Sequence, residues 1–107
     1  MSQLILKDKP TLKDFQQYIR DMVKERGFEH ESVTEIFMLF SEEVGEMAKA
    51  ARKQINIKTD HNSHKPDLDL EIADVFMYLL DIANCFDVDL ENAFRDKEEI
   101  NKKRVWK

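Results

Sequence analysis

Leu12, Phe15, Ile19, Met22 and Val23 recur three or four residues apart, and three later stretches of the chain repeat that spacing. A helix gathers such positions onto one face, whereas a strand would scatter them over two. A chain carrying four of these stripes has to bury them against one another. Only two Gly and two Pro occur, and 36% of the residues are charged. That composition suits long helices and disfavours many short strands joined by tight turns. The expected fold is all-α.

Boundary signals divide the chain into four helices. Thr11 follows Pro10 as an N-cap, and the first stripe runs until Gly27 stops it. Ser32 or Glu31 opens a second helix, whose stripe is Val33, Ile36, Phe37, Phe40, Val44, Met47, Ala48 and Ala51, ending near Gln54. From Ile55 to Pro66 the periodicity is lost among Asn, Asp, Ser, His and Lys, which marks a polar connection. Asp67 caps a third helix, carrying Leu68, Ile72, Val75, Phe76, Leu79, Leu80, Ala83 and Phe86. Asp89 caps a fourth, with Leu90, Ala93, Phe94 and Ile100 on its apolar side and Lys102, Lys103 and Arg104 at its end. Short connections between four helices predict an antiparallel four-helix bundle. With 107 residues the chain is expected to be one domain, and so small a core is expected to be completed by oligomerisation, as a homodimer or homotetramer.

The charge balance limits the partners. With 17 basic and 22 acidic residues the formal charge is -5, which gives no overall attraction to nucleic acid or to an anionic membrane. Neither partner is expected, and a polyanionic ligand would need a cation as intermediary. Met1 to Lys9 lacks a signal-peptide apolar core, and no apolar run reaches the ~18 residues of a membrane span. Cys85 is the single cysteine and is expected to pack rather than react. Together these features predict a soluble cytoplasmic protein.

The chemistry is written where acids interrupt the stripes. Helix two contains Glu42, Glu43 and Glu46, and Glu43 and Glu46 stack one turn apart in a column that includes Leu39 and Ala50. Helix three repeats the arrangement with Glu71 and Asp74, three apart, and Tyr78 follows. If the two helices pack through their stripes, four carboxylates converge on one cleft. Most Glu-rich helix strings are only solvated faces; a second acidic pair on the edge of another apolar helix is what raises this one above them. Crowded carboxylates require protons or cations, and an all-oxygen set favours a hard ion such as Mg²⁺. Gly45, inside helix two, suggests either close approach by another backbone or ligand, or a tolerated blemish.

Glu42-Glu43-Val44-Gly45-Glu46, then 24 residues, then Glu71-Ile72-Ala73-Asp74, resembles the EExxE and ExxD motifs of the MazG-like all-α nucleoside triphosphate pyrophosphohydrolases. The resemblance extends from the TLKDFQQYI opening to Arg104. It implies a single MazG-like domain over residues 1–107 that hydrolyses nucleoside triphosphates to monophosphate and pyrophosphate. It implies Mg²⁺, with Mn²⁺ as a substitute, held by Glu43, Glu46, Glu71 and Asp74. Glu42, Glu43 and Glu46 would be catalytic, Tyr78 would lie near the substrate, and Lys97, Asn101 and Arg104 would touch phosphates. The last three also share a helix face by spacing alone.

Rival readings are a nucleotide-binding or regulatory protein that holds metal without turnover, and a structural helical oligomer with exposed carboxylates. A phosphoribosyl-ATP pyrophosphohydrolase would share the acidic motif. A di-iron bundle is disfavoured because none of His30, His61 and His64 follows a Glu by three residues. His61 and His64 read as loop residues rather than a zinc site, in a loop that could close over a base. Trp106 reads as a packing residue.

Overall fold

The computed structural model describes residues 2–58, 60 and 67–106. Among them are four helices and no strand: α1 (Leu12–Glu25), α2 (Val33–Gln54), α3 (Leu68–Cys85) and α4 (Leu90–Lys102), with a single 3-10 turn at Phe28–His30. No helix among the described residues is long and apolar enough to cross a membrane.

The ends form where the local chemistry supplies partners for free backbone groups. The Thr11 hydroxyl accepts from the Asp14 amide at 3.2 Å, and the Asp14 carboxylate accepts from the Thr11 amide at 2.9 Å, a reciprocal capping box. Ser32 accepts from the Glu35 amide and Asp89 from the Asn92 amide. Asp67 occupies the N-cap of α3, but its side chain makes no capping bond. Gly27 takes a left-handed φ of 72° just after α1, a conformation that costs glycine least.

Helix α3 is the centre of the molecule, packed most extensively on α2 and then on α1. The buried apolar side chains are Ile19 of α1, Ile36 and Ala50 of α2, and Leu80 and Ala83 of α3. Phe15 and Phe76 meet edge to face across α1 and α3, with ring centroids 5.5 Å apart. Helix α4 leans on α1 at the edge and contributes no buried residue. The all-helical expectation holds and is consistent with a helical bundle.

One buried polar side chain ties the edge helix down. The Gln16 side chain donates to the Asn84 side-chain oxygen at 3.0 Å and to the Val88 carbonyl at 2.8 Å. It accepts from the Leu90 amide at 3.1 Å, and Asn84 donates back to the Gln16 carbonyl at 2.9 Å. Gln16 thus links α1 to the end of α3 and the first residue of α4. Gln16→Ala leaves these groups without their protein partners, and we expect it to cost about 1–3 kcal/mol in urea unfolding. A midpoint equal to wild type would show that water replaces the network without loss.

Candidate metal centre

Glu43 sits on α2 seven residues from Ile36 and seven from Ala50, both buried. Seven residues is close to two full turns, so the packing that buries those two also turns Glu43 inward. Across from it, Glu71 and Asp74 lie one turn apart on α3. Carboxylate oxygens of Glu43, Glu71 and Asp74 come within 4.8 Å of one another, with Glu43 and Glu71 half-buried and Asp74 exposed. Among the described residues, no Lys or Arg forms an ion pair with any of them.

Burial raises the Glu43 carboxyl above its ordinary value, and the charges of Asp74, Glu71, Glu42 and Glu46 raise it further. Repulsion of this kind is what a cation would relieve. The donor set is all oxygen, and an octahedral Mg²⁺ with ligands at about 2.0–2.1 Å sets neighbouring oxygens about 3 Å and opposite ones about 4.2 Å apart, so the trio would draw together to close around the ion. The residues present fit the group. Glu46, the fourth expected ligand, is exposed one turn along α2 and stands outside the trio, as does exposed Glu42.

A cleft of about 190 Å³ opens beside the trio, with Glu43 and Asp74 in its wall. From α3 it takes Met77, Tyr78 and Asp81, and from the end of α1 Met22, Val23 and Arg26. Phe28 and Glu31, on the connection to α2, complete it. Burial raises the Tyr78 hydroxyl, followed by the charges of Glu31, Glu43, Asp81 and Asp74. The Asp81 carboxyl is raised by burial and then by Glu31. Tyr78 is therefore beside the carboxylates, in the wall of the same cleft. Asp81, Glu31, Arg26 and Phe28 were not singled out as site residues by the sequence. Asp81 was within reach, because it continues the Asp74 and Tyr78 column at i+7 and i+3. The other three lie on or beside a connection, where no periodicity assigns a direction.

The C-terminal face goes elsewhere. Lys97 and Asn101 line a groove with Leu12, Phe76, Leu79, Leu90 and Phe94. Phe76 is two residues from Asp74, so it leaves α3 roughly 160° around from the acid face. Arg104 is exposed, and its guanidinium lies over the Trp106 ring, 4.6 Å from the centroid. The structure does not bring Lys97, Asn101 and Arg104 together with the acids of the same chain.

Three further expectations meet the structure here. Cys85, at the end of α3, is exposed rather than packed. Among the described residues nothing approaches within 4 Å of a Cβ built on Gly45, so no backbone among them accounts for that glycine. Gly45→Ala should raise stability by about 1 kcal/mol in thermal unfolding, and a loss instead would reveal a neighbour beyond the described residues. His61 and His64 lie outside the described residues.

No protein-family model matches the chain, and no curated protein matches its sequence significantly.

Proposed function

We propose that this chain is an Mg²⁺-dependent nucleoside triphosphate pyrophosphohydrolase of the MazG-like kind, acting in the cytoplasm as a homodimer or homotetramer. The observation that carries the reading is the convergence of Glu43, Glu71 and Asp74 from two helices beside a cleft that also has apolar walls. Oxygen donors that no Lys or Arg among the described residues pairs with suit a hard metal, and the adjoining apolar surface suits a base.

Glu43, Glu71 and Asp74 would hold the ion, and Glu46 would join them by turning one exposed side chain inward. When bound, Mg²⁺ offsets charge on phosphate oxygens and lowers the pKa of a coordinated water. The chain's own residues do the positioning. Glu42 and Glu46 lie within electrostatic reach of Glu43 and offer carboxylates to orient a water for in-line attack between the α and β phosphates. Arg26 gives the cleft a positive charge toward the phosphates, and Met22, Phe28 and Met77 give the base an apolar seat. Tyr78 presents a neutral hydroxyl, whose ionisation burial and the surrounding acids push further above its ordinary value.

The test is pyrophosphate release from a panel of ribo- and deoxyribonucleoside triphosphates, with Mg²⁺, with Mn²⁺, and with chelator. Metal-dependent release of pyrophosphate and monophosphate is expected. Nucleotide binding through Mg²⁺ with no product would instead identify a binding or regulatory protein, and the absence of binding would remove the site assignment.

A further inference from the structure

We propose that Asp81 and Glu31 read the base of the substrate, and that the base they select is guanine. The assignment rests on the nucleotide reading of the cleft given above and adds to it the choice of base.

The cleft beside the acid trio has two ends. Glu43 and Asp74 stand in its wall at one, and Asp81 lies in the wall seven residues further along α3. A helix rises about 1.5 Å per residue, so Asp81 is about 10.5 Å along the axis from Asp74. A nucleotide whose α phosphate sits at the metal places its sugar hydroxyls well short of that distance. The pairing edge of its base is the part that reaches it. Between the two ends the walls include Met22, Phe28 and Met77, whose apolar faces suit the flat rings. Glu31 enters the same cleft from the connection ahead of α2, close enough for its charge to act on the Asp81 carboxyl.

These two acids have no use within the chain itself. Both are half-buried, and among the described residues neither takes part in an ion pair or a hydrogen bond. Polar groups withdrawn from water are normally bonded, so the occupant of this end should bring N–H donors. A second metal is the poorer match, because no third acid, histidine or cysteine among the described residues converges on the pair.

The donor pattern then separates the bases. An ionised carboxylate can only accept hydrogen bonds. Guanine sets its N1–H directly beside its N2 amino group, so the Asp81 carboxylate takes a parallel pair and the outer amino hydrogen is left for Glu31. Adenine and cytosine place a ring nitrogen acceptor next to the amino group, and uracil and thymine flank one N–H with two carbonyls. Each of those edges turns a lone pair toward Asp81, which a buried acceptor tolerates poorly. The Tyr78 hydroxyl, one turn before Asp81 in the same wall, is a donor for the guanine O6.

The assignment is tested by kcat/KM for Mg²⁺-dependent pyrophosphate release from guanosine, inosine, xanthosine, adenosine, cytidine and uridine triphosphates. Equilibrium binding of the α,β-methylene analogues of guanosine and adenosine triphosphate, which resist cleavage, is measured beside it. We expect guanosine to lead, with inosine about 10–100-fold lower for want of the amino group. Glu31→Gln should lower the guanosine value about tenfold and leave inosine unchanged. Asp81→Asn should lower guanosine about 10–100-fold and raise xanthosine about tenfold, because the amide donates to the carbonyl that replaces the amino group. Unfolding cannot imitate that gain. Glu35→Gln, an exposed acid outside the cleft, should alter none of these values. Hydrolysis without base preference, a preference for another base, or a loss in Asp81→Asn without the xanthosine gain would each overturn the assignment and leave the pyrophosphohydrolase reading standing. Analogue binding that favours guanosine through Asp81, with no triphosphate cleaved, would do the reverse. Neither cleavage nor selective binding would remove both.

Discussion

Glu43→Gln is expected to lower Mg²⁺-dependent pyrophosphate release by about 10²–10³-fold, the usual range for losing one preorganised stabiliser of transition-state charge. In metal-free buffer near pH 7 the same variant should melt no lower than wild type. The two expectations have one cause. Glu43 is half-buried with Glu71 and Asp74 beside it and, among the described residues, no Lys or Arg paired with it, so its charge is a liability to the empty fold. The amide keeps the shape and removes the repulsion. Asp74→Asn should behave alike in activity, with a smaller gain in stability because Asp74 is exposed. Comparing rates and melting curves of both variants decides the matter. Full activity in Glu43→Gln would remove this residue from the chemistry, and a variant that is inactive only because it is unfolded would make Glu43 a structural residue.

How much of this was legible beforehand depends on the kind of contact. Spacing of apolar residues and cap chemistry located each helix, because both are local: Thr11, Ser32 and Asp89 mark their helix starts by side chains that reach only three residues on. The inward turn of Glu43 was legible for the same reason, as one column with Ala50. The nearness of Glu71 and Asp74 required only that α2 and α3 pack through their stripes. What periodicity does not supply is the choice of neighbour. The apolar side of α4 gave no hint that it would lean on α1 and leave Phe94 open, which carried Lys97 and Asn101 to the far side of α3. Nor did the segment after α1 announce Arg26, Phe28 and Glu31 as cleft walls, since a turn reverses direction without a repeat that could be counted. Gln16 was hidden in a similar way, because its partners lie 68 to 74 residues away.

The metal-free protein should lose stability as pH rises above the ordinary carboxylate range, and Mg²⁺ should restore it. The sign follows from the direction of the shifts. Glu43 and Asp81 have ordinary values of 4.5 and 3.8, and both are raised in the fold, so the folded state holds their protons more tightly than the unfolded chain does. Their contribution is fully present below those ordinary values and disappears as pH rises through the raised ones. Asp14 opposes this, because the Thr11 amide lowers its carboxyl, and its contribution is lost as pH falls. Asp14 lies in an exposed cap, so its effect should be the weaker. Above its raised value Glu43 is charged, which is also the form that binds a cation, so acid-side stability and metal affinity must run in opposite directions with pH. At a hundredfold excess over its dissociation constant, Mg²⁺ should add about 2.7 kcal/mol, roughly 10–20 °C in melting temperature for a domain of this length. Melting curves at pH 5 and pH 7.5, with Mg²⁺ and with chelator, measure both effects. A large Mg²⁺ shift at pH 7.5, small at pH 5 and abolished by Glu71→Gln, is the pattern of an ion held by this trio; no shift at either pH would leave three carboxylates that repel one another and bind nothing.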